Sequence, residues 1–223
     1  MPSGYFVTGT GTGVGKTLVS CALLYAFRAC GKSVVGMKPV AVGCENGRWM
    51  DVEMLSVASD VKAPRELINP YALVAPIAPH IAAKQSGILI DILTIRRACR
   101  ELQKIADIVI VEGAGGFLVP LNEREDISHM TKALGLPVIL VVGMQLGCLN
   151  QALLTAQAVR AAGLPLAGWV ANRIDVHMAA FDENVFTLEQ RLGCPLLGVL
   201  PFDHDADPQQ MSLLLNIAGM GAG

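Results

Sequence analysis

Short apolar runs, each followed by a turn and a longer amphipathic segment, recur along the whole chain. Tyr5-Phe6-Val7 reads as a strand, and Leu18 to Leu24 as part of a helix that starts at Lys16 and ends near Cys30 and Gly31, with the glycine as C-cap. Ser33 to Met37 reads as a second strand, which completes a βαβ unit if the two strands run parallel. Asp51 reads as the N-cap of a short helix through Ser59. Prolines at 64, 70, 76 and 79 punctuate a stretch too long for a simple connection, which marks it as a functional cover. Helical segments follow around His80 to Gln85 and from Asp91 to Lys104. Ile108 to Val111 is a buried central strand by its four β-branched residues, and Pro137 to Val142 another strand. Next come a helix from Gly147–Asn150 to Ala162-Gly163, a strand from Leu166 to Ala171, and a helix from Ala179 to Leu192. A last strand, Leu196 to Leu200, leads into an acidic loop, Pro201 to Pro208. Strands alternating with helices predict an α/β fold: a doubly wound, mostly parallel sheet flanked by helices.

Composition supports that pattern. Hydrophobic residues make up 52% of the chain and charged residues 16%, as expected where strands are covered on both faces. A length of 223 residues suits one large α/β domain spanning 1–223.

Gly9 to Thr17, Gly-Thr-Gly-Thr-Gly-Val-Gly-Lys-Thr, joins the first strand to the first helix. Its glycines let the backbone approach an anion closely, at a helix N-terminus whose free N–H groups and dipole favour negative charge. Lys16 adds a formal charge, and Thr17 a hydroxyl of the kind that binds a nucleotide's Mg²⁺. The loop misses the usual G-x-x-x-x-G-K-[ST] spacing by one residue, because position 10 is Thr10. It fits a dinucleotide fingerprint worse, since those frames end on Val14 and Lys16 and no acid precedes Glu45. The reading is a nucleotide phosphate loop, and the fold P-loop NTPase-like.

Other polar residues fall at strand ends. Lys38 follows the second strand, where open α/β sheets bind ligands or where a lysine simply meets solvent. Glu112 ends the central strand before Gly113-Ala114-Gly115-Gly116; a buried carboxylate there orients Mg²⁺ or sits in a structural ion pair. Asn172 either reads a base edge or forms a turn. Six cysteines without a C-x-x-C pair suit buried thiols in a reducing cytoplasm, and four scattered histidines show no zinc spacing. A net charge of −2 with no basic tail argues against a nucleic-acid partner. No signal peptide is visible, and the longest apolar run, Leu136 to Met144, is too short to span a membrane.

Together, several runs resemble the dethiobiotin synthetase family across almost the whole chain. They are Y-F-V-T-G-T (5–10), V-G-K-T (14–17), K-P-V-A (38–41), N-P-Y (69–71), P-H-I-A-A (79–83), V-E-G-A-G-G (111–116), L-G-C-L-N-Q-A (146–152), L-A-G-W-V-A-N (166–172) and P-L-L-G (195–198). The longer phosphate loop is that family's own form. The resemblance implies a homodimeric enzyme that uses ATP, Mg²⁺ and CO₂ to close the cyclic urea of dethiobiotin on 7,8-diaminopelargonate. It implies catalytic roles for Lys16 and Lys38, and Mg²⁺ held by Thr17, Asp51 and Glu112. Nucleotide contacts would come from Gly13, Val14, Gly15, Lys16, Thr17, Leu18, Glu112, Gly113, Ala114, Gly115, Asn172, Arg173, Pro201, Phe202 and Asp203. Substrate contacts would come from Thr12, Lys38, Val42 and the helix start Gly147, Cys148, Leu149 and Asn150, reached from the partner subunit.

Two departures from the family pattern stand out. Gly11 and Gly13 replace acids common at those places, and Val42 replaces a substrate-facing hydroxyl in K-P-V-x-[ST]-G. The rival readings are a ParA- or MinD-like switch ATPase, which works through a protein partner, and a small-molecule kinase. The first has a lysine near the loop's start, where this chain has Gly11.

Overall fold

A computed structural model describes residues 4–220. In chain order the elements are β1 (Gly4–Gly9), α1 (Lys16–Ala29), β2 (Val34–Met37), β3 (Val40–Val42), α2 (Met50–Ala58), α3 (Arg65–Ile68) and β4 (Tyr71–Leu73). They continue with α4 (Pro79–Gln85), α5 (Ile92–Ile105), β5 (Ile108–Glu112), α6 (Ile127–Leu134), β6 (Val138–Met144) and α7 (Cys148–Ala161). The last are β7 (Leu166–Arg173), α8 (Phe181–Leu192), β8 (Leu196–Leu200) and α9 (Pro208–Ser212).

Six strands form one sheet in the order β2-β5-β1-β6-β7-β8, and every pairing in it is parallel. Alternate residues of each strand feed opposite layers. Tyr5 and Val7 of β1 pack with α1, while Phe6 between them faces the layer of α5 and α6. In β6 and β7, Ile139, Val141 and Val170 join the first layer, and Leu140, Trp169 and Ala171 pack against α7 and α8. Burial on both faces explains why these strands read as unbroken apolar runs. Each buried Val, Leu, Ile or Phe among them contributes about 1.5–3 kcal/mol of transfer free energy.

Because β5 and β6 flank β1 on opposite sides, the chain changes direction at β1, and that is where open sheets carry their ligand crevice. Val7 lies beside Glu112 and Gly9 beside Val141, so the phosphate loop and the carboxylate leave adjacent strands at the same edge.

Some expectations need correction. Trp49, not Asp51, is the N-cap of α2; Asp51 lies within the first turn, and its Oδ1 accepts from the Val52 N–H at 3.0 Å. Asn172 is no turn residue, because β7 runs through it to Arg173 and pairs it with Gly143 and Leu200. Three of the six cysteines, Cys21, Cys99 and Cys148, are buried, whereas Cys30 is exposed. The short elements α3, α9 and the β3–β4 pair carry too few residues for a period to show, and α6 also went unread. The signal that α6 left is its cap, Asp126 paired reciprocally with His129.

Candidate functional site

The phosphate loop is shaped before any ligand arrives. Gly13 and Gly15 hold φ values of 76° and 90°, left-handed backbone that side chains disfavour, and Gly15 is the N-cap of α1. A Cβ at Gly15 would also run into the amide of Asn172, which donates to Val14 O at 2.9 Å. No acidic residue occupies the first turn of α1, so the N–H groups of Lys16, Thr17 and Leu18 form a positive end with no side-chain carboxylate to offset it. Gly113 is similarly required, since a Cβ there would lie 2.9 Å from the Phe6 ring.

Charged groups converge beside this loop. Lys38 Nζ lies 2.5 Å from Glu112 Oε1 and 2.8 Å from Asp51 Oδ2. Thr17 Oγ1 donates to the same Glu112 oxygen at 2.8 Å. Lys38 is therefore no solvated strand end, and Glu112, only 1% exposed, is paired. Burial works against the Lys38 charge, but Glu112 and Asp51 overcome it and raise its pKa. Lys16 points back to Gly11 O at 2.7 Å, and its pKa is lowered to about 8, first by burial and then by repulsion from Lys38.

The other oxygen of Glu112, Oε2, is buried with no partner among the described residues. An orphaned carboxylate oxygen beside a hydroxyl and a second carboxylate suits a hard cation such as Mg²⁺. Among the described residues no three His, Cys, Asp or Glu side chains cluster as a metal site. A cation here would therefore draw on Thr17, Asp51 and Glu112, with phosphate or water oxygens completing its shell.

These groups line a cleft of about 750 Å³ with Thr12, Gly13, Gly15, Val42, Ala114 and Gly115. Pro76, Ile77, Ala78, Pro79 and Val119 form the remaining wall. Of these five, the sequence marked Pro76 and Pro79 only as punctuation of the proline-rich stretch, which also contains Ile77 and Ala78, and it gave no signal for Val119.

Other expected residues lie outside the cleft. Val14 is buried and Leu18 packs on the core. Arg173 turns away, donating to Val176 O at 3.0 Å with its guanidinium over the Phe181 ring. Pro201 and Asp203 are exposed in the loop after β8, beside a half-buried Phe202. Gly147, Cys148, Leu149 and Asn150 open α7 away from the cleft of the same chain.

A parallel sheet with a glycine loop at its crossover point, feeding a helix that starts Lys-Thr, defines a P-loop nucleotide-binding protein. Residues 3–210 match a family model described as an AAA domain. Among solved structures, the MinC:MinD cell division complex of Aquifex aeolicus matches with a TM-score of 0.59 at 17% identity, over 94% of this chain and 86% of the other. Cell division protein FtsY of Thermotoga maritima matches with a TM-score of 0.54 at 18% identity, over 96% and 68%. At such identities the likeness is one of fold alone. In sequence, the chain is 68% identical over 221 residues to the ATP-dependent dethiobiotin synthetase of Nitrosospira multiformis, covering 99% of this chain and 98% of that one. It is 51% identical over 222 residues to the same enzyme of Aromatoleum aromaticum, covering 98% and 99%. The chain belongs to the dethiobiotin synthetase family.

Proposed function

We propose that this chain is an ATP-dependent cyclo-ligase that converts 7,8-diaminopelargonate and CO₂ to dethiobiotin. The observation that carries the chemistry is Lys38, a second buried cation facing the phosphate-loop cleft and tied to Glu112 at 2.5 Å. Nucleotide binding alone needs one lysine; phosphoryl transfer to an anionic acceptor calls for charge on both sides.

One amine of the substrate adds CO₂ and loses a proton to become a carbamate. A carbamate oxygen attacks the γ-phosphorus of ATP and ADP leaves. The neighbouring amine then attacks the carbamoyl carbon, expelling phosphate and closing the cyclic urea. The N–H groups of Gly13 to Leu18 cradle the triphosphate, and Lys16 turns from Gly11 O towards the transferring group. Lys38 offsets the carbamate's charge, with Thr12 and Val42 beside the substrate. Thr17, Asp51 and Glu112 are the residues that would hold Mg²⁺, which supplies charge neutralisation on the phosphates when bound. Gly113 to Gly115 border the nucleotide. Asn172 and the Pro201-Phe202-Asp203 loop hold adenine; Asn172 Nδ2 spends one of its two N–H groups on Val14 O, which leaves the other and Oδ1 for a base edge.

We also infer a cytoplasmic homodimer. Six unpaired cysteines favour a reducing compartment, and no described helix is long and apolar enough to cross a membrane. The dimer is supported by the start of α7. Gly147 there has φ 94°, no acid occupies the first turn, and neighbouring Leu146 is 96% exposed. Such a terminus suits the substrate's carboxylate, delivered from the partner's cleft.

Turnover distinguishes this reading from a switch ATPase. ATP hydrolysis should require both the diamine and CO₂, since the acceptor exists only when both are present. Vigorous hydrolysis without them, or stimulation by DNA, lipid or a protein instead, would overturn it.

A further inference from the structure

Asn69 belongs to the Asn-Pro-Tyr run, to which the reaction above gives no task. Its surroundings do. The chain leaves the main sheet after Met37 and joins the small β3–β4 sheet at Val40, so Lys38 and Pro39 make the turn-off. Those two residues have three backbone hydrogen-bonding groups, because proline lacks an N–H. Residues 68–71 take all three. Lys38 N–H donates to Ile68 O at 2.8 Å, and Tyr71 N–H donates to Pro39 O at 3.0 Å. Lys38 O accepts from Asn69 Nδ2 at 2.7 Å, and the same NH₂ group donates to Tyr71 O at 3.1 Å.

Asn69 is 5% exposed, and its Oδ1 is buried with no partner among the described residues. Two carbonyls converging on one point demand two donors from one atom. An amide NH₂ meets that demand; a serine hydroxyl brings one donor, an ionised aspartate none. The ion pairs of Lys38 do not by themselves define its ammonium's position once an anion enters the cleft, since its four-carbon stem is flexible. The backbone anchor is made without either of those carboxylates.

We propose that Asn69 is a positioning residue for Lys38: by tying the Lys38 carbonyl to that of Tyr71, it fixes the point from which the ammonium reaches the acceptor. The inference rests on the role given to Lys38 above. Its test is a double-mutant cycle in steady-state turnover, combining Asn69→Ser and Asn69→Asp each with Lys38→Ala. Asn69→Ser should lower kcat about tenfold and Asn69→Asp about 10²-fold, the scale of a misplaced catalytic group. KM for ATP, set by the phosphate loop, should change less than about twofold. In the Lys38→Ala background neither substitution should reduce kcat further, because the group it positions is gone. A thermal melt checks folding, and if the aspartate variant fails to fold, the serine variant completes the cycle. Losses that multiply in the Lys38→Ala background, or a loss confined to KM for ATP, would overturn the inference while sparing the role of Lys38. Wild-type turnover by Lys38→Ala alone would overturn both, and is read with Asn69 intact.

Discussion

Lys16 offers the most quantitative test of the site. Its ammonium is buried, donates to Gly11 O at 2.7 Å and has the charge of Lys38 nearby. Its pKa falls from 10.5 to about 8, a charging penalty of about 3 kcal/mol. Phosphate oxygens in the loop would reverse that penalty, so ATP binding should take up a proton. At pH 8.5, above that value, much of the free protein holds Lys16 neutral, and binding should take up a sizeable fraction of a proton. At pH 6.5 the group is already charged and contributes almost nothing. Titration calorimetry at pH 8.5 in two buffers of different ionisation enthalpy reads the uptake from the difference in heats, with Lys16→Met as the blank. Equal heats for wild type in both buffers would refute the reasoning, because they would mean a charged Lys16 in the empty loop. The same group acts on stability. Between about pH 8 and 10.5 the unfolded chain binds more protons at Lys16 than the folded protein does, so its contribution to stability rises with pH across that window.

Three further outcomes are expected. Lys38→Met should lower kcat by ~10²–10³; it should also tighten Mn²⁺ binding to the nucleotide-free protein, followed by electron paramagnetic resonance, because Glu112 and Asp51 lose the ammonium between them. Unchanged Mn²⁺ affinity would count against those carboxylates as metal donors. Val42→Ser should tighten diamine binding by ~1 kcal/mol, a typical net hydrogen bond, and an unchanged or higher KM would show that the cleft is already arranged around the valine. Finally, inactive Lys16→Ala and Gly147→Asp proteins, refolded together in equal amounts, should recover about a quarter of wild-type activity if sites are shared between subunits. A dead mixture despite proven subunit exchange would place each site within one chain.

The sequence made the phosphate loop and Glu112 legible because their chemistry is local: glycines, a lysine and a carboxylate stand where strands end. The main strands were legible for a related reason, since double-sided burial writes itself as continuous apolar residues such as Val138 to Val142. What escaped depends on distant partners. Asp51 looked like a helix cap because nothing nearby reveals that its carboxylate meets Lys38 at 2.8 Å. Asn69 was unreadable as more than a family mark, because it acts on backbone carbonyls, one of them 31 residues earlier. The β3–β4 pair is three residues per strand, too short for any period to register.

The clasp between Asn172 and the phosphate loop bears on the order in which the protein matures. Val14 O is held by a side chain 158 residues further along, on a strand that must already be docked beside β6. A growing chain that has finished its glycine loop, and even the helix after it, still has that loop open on one side. The finished shape of the loop is therefore a late acquisition of folding, reached only when β7 has taken its place between β6 and β8.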